Sequence, residues 1–401
     1  MISRTALYVG GLLGPFGAGV TSAMLPELAR TFDVSENTAA SSLTAYLLPF
    51  ALVMVVSGTL GERWGRNRTI RGAYVLYLVA ALLSVFAPWF WLFQVGRGFQ
   101  GVANAFITPL LLTKLADVTP KPRLGRTLGT YGAVQSIGQT SSPLVGGLAA
   151  EGVWGLAPGL GLGFAPPGDT ASWRWAFIGI AVVACVLASS PLPADGAKAA
   201  APARLRDAWQ PTVVWTGAVI FLAWACLAGL PFLVAFRVDD LFALGPGVRG
   251  LVLTAFGVAG FLSARPVGAA ADRFGPRAAI CGGLLLGAIA IGAIGVFASL
   301  PVVVAAWALG GVCGQLILVG INASVLAGAE NGRSGAISVV TALRFLGMAA
   351  SPGAFTGLYH REPALGFLLP AGLLALTIPL AALSRARTRE VVAPGPCEAN
   401  R

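Results

Sequence analysis

Long apolar runs, each bounded by a few polar residues, recur along the whole chain. About 20 residues are needed to span a hydrocarbon core. Apolar segments of that length begin near Ala6, Ala39, Gly72, Trp89, Thr127 and Trp175, and again near Thr212, Gly250, Ala278, Val302, Ser334 and Pro363. The pattern predicts an all-α polytopic membrane protein with twelve transmembrane helices in two six-helix pseudo-symmetric halves. The halves are residues 1–192 and 211–385, joined by a linker over 193–210 and followed by a tail over 386–401. The first segment is read as a retained helix rather than a signal peptide, because eleven further spans follow it.

The halves repeat. Gly61-Glu62-Arg63-Trp64-Gly65-Arg66 is matched 210 positions later by Ala271-Asp272-Arg273-Phe274-Gly275-Pro276. Gln135-x-x-Gly138-x-x-x-Ser142-Pro143 is matched at a displacement of 209 by Arg344-x-x-Gly347-x-x-x-Ser351-Pro352. Duplicated six-helix halves point to a transporter whose site lies at the repeat interface.

Composition narrows the classes. Residues of hydrophobic type make up 56% and charged ones 11%, which excludes a water-soluble globule, and a mean hydropathy of +0.79 excludes disorder. The five cysteines lack metal-like spacing and frame no disulfide scaffold. A net charge of +11 would suit nucleic acid only if the basic residues shared a soluble face, and here they lie between apolar runs. They report topology instead. Twenty of the 27 fall on the side of the termini and five on the other, while Arg97 and Arg344 fall within spans. Both termini and the linker are therefore expected in the cytoplasm, with the protein in the inner (plasma) membrane.

These residues resemble the major facilitator superfamily, and within it the twelve-span drug/proton antiporters. The resemblance rests on Gly58-x-x-x-Glu62-Arg63-x-Gly65-Arg66-x-Arg68, on Arg97-x-x-Gln100-Gly101, and on Gly138-x-x-x-Ser142-Pro143-x-x-Gly146-Gly147, with Ser142 standing where that family signature has Gly. It implies that Gly58, Glu62, Arg63, Gly65 and Arg66, with Asp272 and Arg273, form a conformational latch, Glu62 and Asp272 helping to hold the outward-facing state. A plain positive-inside loop would explain the arginines, but neither Glu62 nor the glycines.

Other candidates follow from spacing. Arg97, Gly101, Asn104 and Thr108 share one helix face, as do Thr341, Arg344, Met348 and Ser351. A charge at mid-membrane faces a cavity or a partner. The substrate cavity is accordingly expected among Arg97, Gln100, Asn104, Gln135, Gln139, Gln315, Asn322, Thr341, Arg344 and Met348. The plainer alternative for Arg344 is satisfaction by Gln315, Asn322 or backbone carbonyls. Gly138, Pro143, Gly146, Gly147 and Pro352 combine close-packing and helix-bending residues. Glu27 is the one acidic candidate for a proton site, an ion pair with Arg30 being the alternative. Trp89, Trp91, Trp154, Trp173 and Trp175 are read as an interfacial belt, and His360 as a solvated loop residue.

No acid, His or Ser cluster suggests an enzyme, and no ring of like polar residues a channel. The expected function is secondary active transport by alternating access: proton-coupled efflux of small amphipathic or drug-like molecules, or facilitated exchange of a defined anionic metabolite. Small-molecule substrate, protons and the lipid bilayer are the expected partners, with no cofactor, metal or nucleic acid and a monomeric state.

Overall fold

Fourteen α-helices and one π-helical turn are formed in the computed structural model, which describes residues 2–119, 124–151, 172–193, 211–328 and 333–383. In chain order they are α1 (Ile2–Gly19), α2 (Leu25–Phe32), α3 (Glu36–Trp64), α4 (Arg66–Val85), α5 (Phe90–Asp117), α6 (Leu124–Glu151) and α7 (Arg174–Ser189) in the first half. The second half holds α8 (Pro211–Ala223), the π-turn (Trp224–Ala228), α9 (Pro231–Phe242), α10 (Pro246–Phe274), α11 (Pro276–Val296), α12 (Leu300–Gly328), α13 (Arg333–Arg361) and α14 (Pro363–Leu383). Two of the membrane rods are broken: α1 with α2 makes the first, and α8, the π-turn and α9 make the seventh. Twelve rods result, each starting within six residues of its expected place. Except for Pro193, the expected linker lies outside the described residues, as does the tail.

Eight rods satisfy a simple length and hydropathy test for spanning a membrane. The first, fourth, fifth and sixth do not, for local reasons. The first is interrupted and α7 is only 16 residues long. Rods four and five carry Gln94, Arg97, Gln100 and Asn104, and Gln135, Gln139 and Ser142, which lower their average without facing lipid in bulk.

Helix ends follow local chemistry. The Ser35 hydroxyl accepts from the Thr38 amide to cap α3, and proline opens α2, α9, α10 and α11 within the first two positions. Gly65 and Gly275, 210 positions apart, have φ of 91° and 88°, where a side chain would be strained. The two signature loops thus turn the same way.

The duplication is written in backbone contacts. A Cβ on Gly101 would lie 2.1 Å from the Tyr46 carbonyl oxygen, and one on Gly311 1.9 Å from that of Phe256, again at an offset of 210. Gly138 against the Leu12 carbonyl repeats as Gly347 against that of Phe221. Rod five therefore packs on rod one as rod eleven packs on rod seven, in the close-approach manner of small residues in membranes. Between the halves, α6 lies on α10 and α3 on α13.

Candidate functional site

The two breaks occupy corresponding places. After Gly19 the chain makes turns through Val20–Met24 before Pro26 restarts α2, and Gly229 accompanies the π-turn before Pro231 restarts α9. Gly19 packs against Ser142 Oγ and Gly229 against Ser351 Oγ. Ser351 Oγ also donates to the carbonyl of Ala225, freed by the π-turn, while the Gly229 amide bonds the Trp224 carbonyl at 2.7 Å. The repeated Ser-Pro pair thus serves the broken rods. Interrupted helices in matching positions of two repeats are the best pointer to a transporter's site.

The helix faces beside these breaks that no packing contact occupies mark a candidate cleft between the halves. On α13, Gly347 and Ser351 face rod seven, Phe345 and Ala349 face rod two, and Ala350, Gly353, Ala354 and Gly357 form the exposed edge. Helical spacing puts Thr341, Arg344 and Met348 between the two packed faces, opposite the exposed edge. The same construction on α6 puts Gly132, Gln135 and Gln139 in the cleft. Gln139 is exposed and Gln135 half-buried, both in mid-rod.

Arg344 is the charged member of this lining. Its guanidinium lies 4.6 Å from the Phe345 ring centre and 5.7 Å from that of Trp224, and its Nε is buried without a partner. Among the described residues it makes no ion pair and no side-chain hydrogen bond. The expected alternative of satisfaction by Gln315 or Asn322 is not what the structure shows: Gln315 packs beside Gly260, and Asn322 is exposed.

Arg97, Gln100 and Asn104 lie behind the cleft, inside the first half. Arg97 is wholly buried, 4.5 Å from the Tyr46 ring centre, and donates from Nη1 to Gln100 Oε1 at 2.8 Å; its Nε and Nη2 and the Gln100 amide nitrogen have no partner. Asn104 packs on Gly14 and accepts from the Thr108 hydroxyl. The Arg97/Tyr46 pair corresponds to Trp307/Phe256 in the second half, where the rings are 4.7 Å apart and the indole donates to the Leu253 carbonyl. The fold thus accommodates a neutral pair at this place, and the cation is peculiar to the first half.

One end of the cleft is shut by contacts between halves. Thr44 Oγ1 donates to the Ala349 carbonyl at 2.6 Å, Phe50 meets Phe345 edge-on at 4.7 Å, and Gly147 and Gly250 pack on the backbone of the opposite half. At the rim, Glu27 Oε1 accepts from Arg249 at 2.5 Å and from Arg30 at 2.9 Å, and Arg249 reaches Asp239 at 2.6 Å. Sequence spacing gave the Arg30 pair but not Arg249, 222 residues away. His360 ends α13 rather than a loop, with Nε2 3.9 Å from Glu36 across the same seam. Toward the other end, a side chain on Gly132 would meet nothing within 4 Å.

Two further expectations change. Trp173 is wholly buried among Phe32, Phe93 and Phe177, its indole donating to Thr31 Oγ1, so it is core and not belt; Trp89 and Trp91 are exposed and stacked. Arg66 is buried and pairs with Asp117 of its own half. Of the latch residues, Arg63 and Arg273 are exposed, Arg273 lying 5.3 Å from the Phe274 ring centre, and Gly58 lies within α3, while the side chains of Glu62 and Asp272 are not among those described.

A family model described as Major Facilitator Superfamily matches residues 7–244 and again 238–396. The chain belongs to the major facilitator superfamily. That superfamily is one of membrane transporters. An "Uncharacterized MFS-type transporter" of Mycobacterium tuberculosis is 30% identical over 197 residues, 47% of this chain and 25% of the relative. "Drug efflux pump JefA" of the same organism is 30% identical over 135 residues, 33% of this chain and 27% of the relative. The chain thus spans about a quarter of the length of these curated relatives. A solved bacterial homologue of the human lysosomal transporter Spinster, inward-facing and unoccupied, superposes with a TM-score of 0.72 at 16% identity over 95% of this chain and 94% of that one, which shows the fold alone.

Proposed function

We propose that this superfamily transporter works by alternating access as a proton-coupled exporter of small amphipathic molecules across a plasma membrane. The observation that carries the reading is the pair of broken rods in matching places of the two repeats, with Arg344 unpaired beside one of them and the halves in contact at the Glu27 end. The efflux direction is supported by the similarity to a drug efflux pump. With the termini cytoplasmic, the Glu27 end faces outward and the cleft is served from inside.

Coupling has a candidate group in Glu27. A buried carboxylate that ties the halves together loses its hold on Arg249 when protonated, so a proton arriving from outside would favour opening at that end. The latch loops would hold the alternative state. In inside-out vesicles, accumulation of exported compounds should depend on a proton gradient and collapse with an uncoupler. Accumulation that survives the uncoupler at an unchanged substrate gradient leaves the exchanger for an anionic metabolite as the better reading.

A further inference from the structure

The cleft has a charge that nothing among the described residues balances. Arg344 lies 11 residues into a 29-residue helix, about 16 Å along its axis, so its charge is deep in the membrane. A guanidinium at that depth ordinarily pairs with a carboxylate or with backbone carbonyls. Here it is held between the rings of Trp224 and Phe345, with no acidic partner among the described residues and a buried Nε left unpaired. The guanidinium thus lies over two aromatic faces, and its fork of donors makes no side-chain hydrogen bond among the described residues.

Its surroundings sharpen the point. Gln135 occupies the equivalent place in the first half, so the repeat does not require a cation there. Gln139 and Thr341 add neutral hydrogen-bonding groups, and Met348 adds a polarisable apolar surface that adapts to varied shapes. Behind the cleft Arg97 is a second buried cation, also without a carboxylate. Two guanidinium charges and no acid beside them among the described residues make the potential in the cleft positive, and arginine stays protonated under any plausible burial. Cationic compounds meet repulsion that no group at the site offsets.

We propose that the substrates are small organic anions with a flat aromatic body, the acid group pairing with Arg344 and the apolar body lying along Met348 and the aromatic wall. A planar carboxylate or sulfonate matches the guanidinium fork in a way a point-like ammonium does not. The proposal rests on the reading of the cleft as the transport site and specifies what that site takes.

The test uses the full-length protein in detergent and three probes of one shape: 2-naphthoate, 2-naphthamide and 2-naphthylmethylammonium, their dissociation constants measured by titration calorimetry. The wild type should bind the acid at least about 10-fold more tightly than the amide, about 1.4 kcal/mol, and should not bind the ammonium. Arg344→Gln should bring the acid down to the level of the amide without lowering Tm, since no ion pair or hydrogen bond is lost and an unpaired charge is removed. Arg344→Lys should recover only part of the preference. Equal binding of acid and amide by the wild type, tighter binding of the ammonium, or an unchanged preference in Arg344→Gln would each overturn the proposal. The export reading fails separately: 2-naphthoate would bind through Arg344, yet its movement across proteoliposomes would ignore an imposed proton gradient.

Discussion

At Gly101 and Gly311 the chain tolerates no side chain, because the carbonyls of Tyr46 and Phe256 occupy the space. Gly101→Ala should cost about 1–3 kcal/mol as the rods are forced apart and show as a lower Tm in detergent. Gly72→Ala, where nothing lies within 4 Å, should be neutral or slightly stabilising. Equal Tm values for the two variants would refute the close approach. Arg97 poses the opposite case, a large residue whose charge the packing does not need. Replacing Tyr46 and Arg97 together by Phe and Trp copies Phe256 and Trp307, and removes an unpaired buried charge. The double variant should fold with an equal or higher Tm and lose transport. Retained transport would assign Arg97 to packing alone.

Broken rods are held by partners from elsewhere in their own half. Ser351→Ala leaves the Ala225 carbonyl unpaired in the π-turn, which costs about 1–3 kcal/mol, whereas Ser35→Ala removes an exposed cap worth about 1 kcal/mol. The Glu27–Arg249 pair joins α2 to α10 across the seam, and its loss strands a buried charge. Glu27→Gln and Arg249→Met should each shift spin labels at Asp33→Cys and Val248→Cys toward longer distances. Exchanging the two charges should not restore closure, because the exchanged Arg would face Arg30 and the exchanged Glu would face Asp239. An unchanged distance distribution in both single variants would show that the pair does not hold that end.

For the whole molecule, function requires the halves to part and rejoin. With the native cysteines replaced, Thr44→Cys and Ala349→Cys should cross-link across the seam, stop transport, and release it on reduction. Transport by the cross-linked protein would mean that this end never opens. Orientation is tested from the tail: Cys397 as the only cysteine should resist an impermeant thiol reagent in intact cells and react after lysis. Labelling in intact cells would reverse the assignment of sides.

Composition and run length determined the helical membrane fold, the twelve spans and the duplication, because burial in hydrocarbon forces every backbone group into local hydrogen bonds and leaves a 20-residue signature. Helix-face spacing also grouped Thr341, Arg344 and Met348, since one rod's period is local information. What spacing could not give was the distance between rods. The Glu27–Arg249 contact joins residues far apart in sequence, Trp173 became core through rings of two other segments together with Phe177 of its own rod, and Arg344 proved unpaired only once its neighbours were in place. The break in rod seven was equally hidden, its π-turn lying inside an apolar run that reads as continuous helix. Tertiary packing decided these because a side chain's partner in a membrane is set by which rods touch, and hydrophobicity, alike on all of them, does not specify that.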